Sequence, residues 1–172
     1  GKLAEACICY TGDILDDRRV KYNLKYYVDM AKELEKRGTH MIGIKDMSGL
    51  CKPMAAKKLV STLKQEVGVP IHFHTHDTSG NGVAAMIMAA LAGVDIVDAA
   101  ISSMSGLTSQ PNLNSIVAAM ENTERESKVK TEEIQEIANY WAAVRPVYKP
   151  FESDFMASTT EIYHYEIPGG QY

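Results

Sequence analysis

The sequence is short of cysteine, of basic clusters and of long apolar runs, and each shortage closes off a class of protein. Its three cysteines, Cys7, Cys9 and Cys51, are odd in number and lie in apolar surroundings. They argue against a disulfide scaffold and predict reduced, buried thiols of a cytosolic-type compartment. A lone Cys-x-Cys pair lacks the further cysteines a structural metal site wants. Lys and Arg number 18 against 22 Asp and Glu, a net charge of -4. With no basic block outweighing the acids, no nucleic-acid partner is expected. No apolar run approaches the roughly 18 residues of a membrane span, and Gly1 to Tyr10 lacks the charged-then-apolar pattern of a secretory leader, so no membrane partner is expected either.

What the sequence does have is alternation. Apolar runs with strand character cover Ala4 to Tyr10, His40 to Ile44, Val69 to Phe73 and Val94 to Ala99. Each ends in a polar or glycine-bearing turn ("TGD", "KDMSG", "THDTSGNG", "SSMSG"), and a helical pattern follows. Tyr22 to Arg37 sets Tyr27, Val28, Ala31 and Leu34 on one face, and Gly38 is its stop. Pro53 opens a second helix with Leu59, Leu63 and Val67 buried. Val83 to Leu91 is apolar nearly all round. Asn112 to Glu121 is a shorter helix, and Thr131, followed by two glutamates, caps a fifth through Val144. Strand, turn and helix repeated four times predict an α/β fold with a parallel sheet. A doubly wound sheet and a (β/α)8 barrel both satisfy the pattern. A whole barrel needs eight units and about 250 residues, so 172 residues would supply about four of them.

Function in α/β folds gathers at the carboxyl ends of strands. Here those ends deliver Thr11 and Asp13, then Lys45 and Asp46, then His74, His76 and Asp77, and finally Ser102, Ser103 and Ser105. His72, His74 and His76 alternate, so in a strand they share one face. Two imidazoles two residues apart can hold one divalent ion if other ligands help. His72 lies deeper and reads as a hydrogen-bonded interior residue. Lys45 closes an apolar strand, where an ammonium is costly unless paired, neutral or modified. A salt bridge to Asp46 is one resolution, and reaction with carbon dioxide to give an anionic carbamate is another. Met47 and Asp77 are candidates for lining a substrate pocket. The "SMSGLTSQP" loop could hold an anion on its backbone N–H groups or serve simply as a helix cap.

Taken together, "YTGDILD", "IKDMSGLCKP", "IHFHTHDTSGNG", "SMSGLTSQP" and "EIPGGQY" resemble the carboxyltransferase domain of the pyruvate carboxylase family, within the superfamily of barrels like HMG-CoA lyase. The resemblance implies a (β/α)8 barrel of TIM type, with residues 1–121 the second half of the barrel and 122–172 the start of a helical extension. It implies a divalent metal, Mn or Zn, held by a carboxylated Lys45 and by His74 and His76. The reaction implied is carboxyl transfer from carboxybiotin to pyruvate, giving oxaloacetate through a metal-assisted enolate. Biotin would be carried, and ATP used, by domains not contained in this chain. The family's aspartate ligand, its pyruvate-binding arginine and its proton-shuttling threonine would likewise lie elsewhere in the polypeptide, so the chain alone should turn over little or no substrate.

The resemblance further implies a homo-oligomer, a carboxyltransferase dimer within a tetramer, in the cytoplasm or, in a eukaryote, the mitochondrial matrix. Some bacterial members bind cyclic di-AMP at the dimer interface, and Tyr26, in a helix with Tyr22 and Tyr27, is a candidate for stacking on its adenine. An oxaloacetate decarboxylase or transcarboxylase subunit of the same superfamily is an alternative, as is an aldol or Claisen enzyme that shares the histidine pair. A non-catalytic structural or dimerising piece is the remaining one.

Overall fold

The fold is given by a computed structural model that describes residues 1–152, 154 and 157–166. Four strands, β1 (Glu5–Cys9), β2 (Met41–Asp46), β3 (Ile71–Thr75) and β4 (Ile96–Val97), form one parallel sheet in the order β1-β2-β3-β4. Sequential order separates the two architectures that the pattern left open. A doubly wound sheet reverses direction at a switch point. Here every strand lies beside its predecessor, as in about four βα units of a (β/α)8 barrel.

The connecting helices are α1 (Leu24–Lys36), α2 (Pro53–Glu66) and α3 (Gly82–Leu91), and they cover one face of the sheet. Ile8, Ile42, Ile44, Ile71 and Phe73 point into that layer and are buried against Tyr27, Ala31, Leu59, Leu63 and Met86. The alternate residues, Cys7, Cys9, Lys45, His72 and His74, face the other way, onto the side a closed barrel would enclose. Cys7 and Cys9 are therefore exposed, against the expectation of burial, because no opposing layer among the described residues covers them; Cys51 is buried as expected.

Element ends follow local chemistry. α1 begins at Leu24 rather than Tyr22 because the Asn23 side chain accepts the Tyr26 N–H at 3.1 Å. Asn112 likewise caps α4 (Leu113–Met120) through the Ser115 N–H at 3.2 Å. In α5 (Thr131–Val144) the cap position falls to Lys130, and the Thr131 hydroxyl instead donates to Glu121. The fourth apolar run shrinks to two residues, Ile96 and Val97, paired with His72 and Phe73. A 3-10 turn spans Ser102–Met104, another runs from Arg145 to Phe151, and α6 is Glu161–Tyr165. Of the last motif only Glu166 is described; "IPGGQY" lies outside the described residues. No helix among them is long and apolar enough to cross a membrane.

Candidate active site

One rung of the sheet concentrates the polar chemistry. Cys9 pairs with Lys45, and Lys45 with His74. Asp98 extends that register past the Phe73–Val97 pair, its N–H reaching the Phe73 carbonyl at 3.3 Å. Strand alternation sends these side chains to the uncovered face and sends Asp46 and Thr75, one residue on, to the helix face. Asp46 is fully buried there. Its carboxylate accepts the Leu50 and Cys51 N–H groups, each at 2.8 Å, and the Thr75 hydroxyl at 2.7 Å. Burial pushes this carboxyl up, against the pull of those donors. Lys45 and Asp46 thus occupy opposite faces and form no salt bridge. Lys45 is half-buried, and among the described residues its Nζ has neither a hydrogen bond nor an ion pair.

The two histidines present an unusual pairing. His74 Nδ1 lies 2.7 Å from Asp98 Oδ2, and His76 Nδ1 lies 2.6 Å from the Thr108 carbonyl oxygen. Burial works to raise the Asp98 carboxyl, but the hydrogen bond from His74 and the nearby His72 ring outweigh it and hold it below the usual carboxylate range. A carboxylate and a backbone carbonyl oxygen both accept, so each Nδ1 is the donor, and in the neutral form of either ring Nε2 is the nitrogen that keeps the lone pair. These two Nε2 atoms stand 3.3 Å apart. Two lone pairs at that distance repel unless a proton or a cation sits between them. Nitrogens bound to one ion at about 2.1 Å, with about 90–110° between them, stand about 3.0–3.4 Å apart. The spacing fits neighbouring corners of one coordination sphere, and anchoring Nδ1–H on a carboxylate or carbonyl is how metal-bound imidazoles are oriented. Among the described residues no group of three His, Cys, Asp or Glu side chains converges on this point.

Loop geometry builds the second imidazole's seat. Gly49, at φ +73°, lies so close to the end of β3 that a Cβ there would come within 2.5 Å of the His76 carbonyl oxygen. Leu107 holds a left-handed φ of 52°, uncommon for a residue with a Cβ, directly before Thr108. The "SMSGLTSQP" loop so contributes a carbonyl acceptor to His76, as well as the Ser109 carbonyl that accepts the Asp77 N–H at 2.9 Å.

The other nominated residues make contacts of their own. Asp77 Oδ1 accepts the Gly82 N–H at 2.7 Å, holding the turn into α3, and burial raises its carboxyl against that bond. Met47 is half-buried in the turn after β2. Tyr26 is half-buried in α1, edge-on to Tyr22 and Tyr27 with ring centroids 5.2 Å away in each case. Asp13 pairs with Lys52 at 2.6 Å. His72 is hydrogen-bonded within the sheet face, its Nδ1 2.8 Å from Glu5 Oε1. Its Nε2 is 3.0 Å from Asp98 Oδ1, close enough for charge attraction but not aligned as a hydrogen bond. Burial would lower the His72 pKa, yet the two carboxylates raise it overall.

Sequence reasoning passed over Asp98, Glu5 and the Thr108 carbonyl. Asp98 had a signal: an acid at the end of an apolar run, level with the histidines once the strands are aligned. A backbone carbonyl has none.

The comparisons with known proteins agree with this architecture. The HMGL-like family model matches residues 17–140. The chain is 55% identical over its whole length to pyruvate carboxylase of Bacillus subtilis, of which it covers 15%. It is 46% identical over 175 aligned positions, all of this chain and 15% of the relative, to the human protein named pyruvate carboxylase, mitochondrial. Among solved structures, the carboxyl transferase domain of Rhizobium etli pyruvate carboxylase superposes with a TM-score of 0.96 at 54% identity. The match covers 99% of this chain and 29% of that one, both in a structure with pyruvate and in one with oxamate and biotin. The chain thus spans about one seventh of the length of these curated relatives.

Proposed function

The chain belongs to the HMGL-like family and matches the carboxyltransferase domain of pyruvate carboxylase, and on that premise we propose that it works as part of a larger polypeptide that moves a carboxyl group from carboxybiotin to pyruvate, giving oxaloacetate. Residues 1–121 supply the barrel portion, and 122–172 begin the helical extension.

The observation that carries the site assignment is the pair of facing Nε2 atoms 3.3 Å apart, each ring fixed through its other nitrogen. His74 and His76 would hold a divalent ion, Mn or Zn, with Lys45 on the same rung as a third ligand and a carboxylate from the rest of the polypeptide completing the set. An ion held there would supply electrostatic stabilisation for negative charge developing on a pyruvate oxygen. Lys45 would serve as a ligand once its ammonium gives up a proton and the free amine adds carbon dioxide: an N–C bond forms as a C–O π bond opens, the nitrogen loses a second proton, and the side chain becomes an anionic carbamate. With no carboxylate partner among the described residues, the amine is not tied up in an ion pair that would oppose this. Asp98 and Thr108 keep the protons of His74 and His76 on the far ring nitrogens, so the near ones stay free to bind. ATP and the biotin carrier enter through other domains of the same polypeptide.

The test uses the full-length polypeptide. His74→Ala, His76→Ala and Lys45→Ala should each abolish pyruvate-dependent oxaloacetate formation and reduce bound metal, while biotin-dependent ATP cleavage by the other domains persists. Full carboxyl transfer in His74→Ala and His76→Ala together would overturn the assignment.

A further inference from the structure

We propose that Asp98 is a positioning residue for His74: it fixes which ring nitrogen carries the proton and aims the other at the point His76 also faces. The inference rests on the reading of His74 and His76 as metal ligands. Asp98 follows directly after β4, and its backbone N–H bonded to Phe73 keeps it level with His74. From there its two carboxylate oxygens serve two rings, Oδ2 lying 2.7 Å from His74 Nδ1 and Oδ1 lying 3.0 Å from His72 Nε2.

The support continues one layer deeper. Glu5, at the start of β1, reaches across β2 to place Oε1 2.8 Å from His72 Nδ1. That crossing is open only because the residue beneath it is Gly43: a Cβ there would stand 2.4 Å from the Glu5 oxygen and 2.9 Å from Cys7 Sγ. Glu5, His72, Asp98 and His74 therefore form a line of alternating acid and imidazole drawn from β1, β3 and the residue after β4, and passing over β2. A carboxylate at the far nitrogen of a ligating histidine fixes ring orientation and raises ligand basicity, and its loss costs about 10–100-fold in metal affinity. Neither ring can rotate about χ2 without giving up a partner, so the line works as a stop on His74's orientation.

The experiment measures apparent metal affinity of the full-length holoenzyme by chelator competition with Mn(II) and, after exchange, records the Co(II) absorption spectrum. Asp98→Ala should weaken binding about 10–100-fold and shift the Co(II) bands. Asp98→Asn, which still offers a carbonyl oxygen to Nδ1–H, should lose less, and excess metal should restore much of the turnover in both. Gly43→Ala, which displaces Glu5 but touches neither ligand, should give a smaller loss in the same direction. Unchanged affinity and spectrum in folded Asp98→Ala, or in Asp98→Asn if the alanine variant does not fold, would overturn the inference. His74→Ala and His76→Ala separate the two levels. If they lose the metal while the Asp98 variants keep it, only the positioning role is wrong; if they keep the metal, the ligand assignment fails and the positioning role with it.

Discussion

Replacing Asp46 by alanine should unfasten the turn that carries Met47 and Gly49 and destabilise the surrounding domain. The Asp46 side chain is fully buried and accepts the Leu50 and Cys51 N–H groups at 2.8 Å and the Thr75 hydroxyl at 2.7 Å, with the Ser48 N–H as a further donor. Alanine supplies no acceptor, and each buried donor left unmade costs about 1–3 kcal/mol. Allowing the turn to relax and recover part of this from water, the sum is about 3–5 kcal/mol, a large share of the about 5–15 kcal/mol that holds a typical domain together. Thr75→Val removes only one of these bonds and keeps the carboxylate, so it should cost only about 1 kcal/mol. Scanning calorimetry of the full-length polypeptide, following the transition of the domain that holds this sheet, reads both numbers. A cost below about 1 kcal/mol for Asp46→Ala, or one no larger than that of Thr75→Val, would refute the claim that this carboxylate is what fastens the turn.

Two further outcomes are expected. Gly49→Ala forces a side chain into a left-handed backbone at about 1–2 kcal/mol and drives its Cβ against the His76 carbonyl oxygen, 2.5 Å away. Bound metal and thermal midpoint should therefore fall together, and wild-type values of both would contradict the close approach. At Asp95, burial works to raise the carboxyl, but Lys64 at 2.7 Å and the Ile71 N–H at 2.8 Å outweigh it and hold the folded value below the usual one. A depressed folded pKa gives stability that is present above the unfolded value, about 3.9, and lost as pH falls through the folded one. The stability gap between wild type and Asp95→Asn should be widest above about pH 5 and close in acid; a gap that widens on acidification would contradict it.

Much of this was legible in the residues themselves. The strand runs, the turn after each and the apolar helix faces carry the parallel sheet, because burial of alternate residues needs no knowledge of partners. The histidine pair was legible for the same reason: side chains two apart in a strand share a face. Sheet order was not, since the local pattern of a strand feeding a helix is the same in a barrel and in a doubly wound sheet. Asp98 was hidden until the register set it beside His74. Pairing of Lys45 with Asp46 looked natural from adjacency, yet adjacency in a strand is what puts them on opposite faces. The exposure of Cys7 and Cys9 follows from an uncovered sheet face, which residue hydrophobicity does not report.

The central claim is that His74, His76 and Lys45 hold one ion. X-ray diffraction from the full-length protein, with data at the metal's absorption edge, tests it most directly. The account predicts an anomalous peak about 2.1 Å from Nε2 of both histidines, with an added carboxyl group on Lys45 Nζ reaching the same ion. No peak between the two rings, together with an unmodified Lys45 amine, would contradict it.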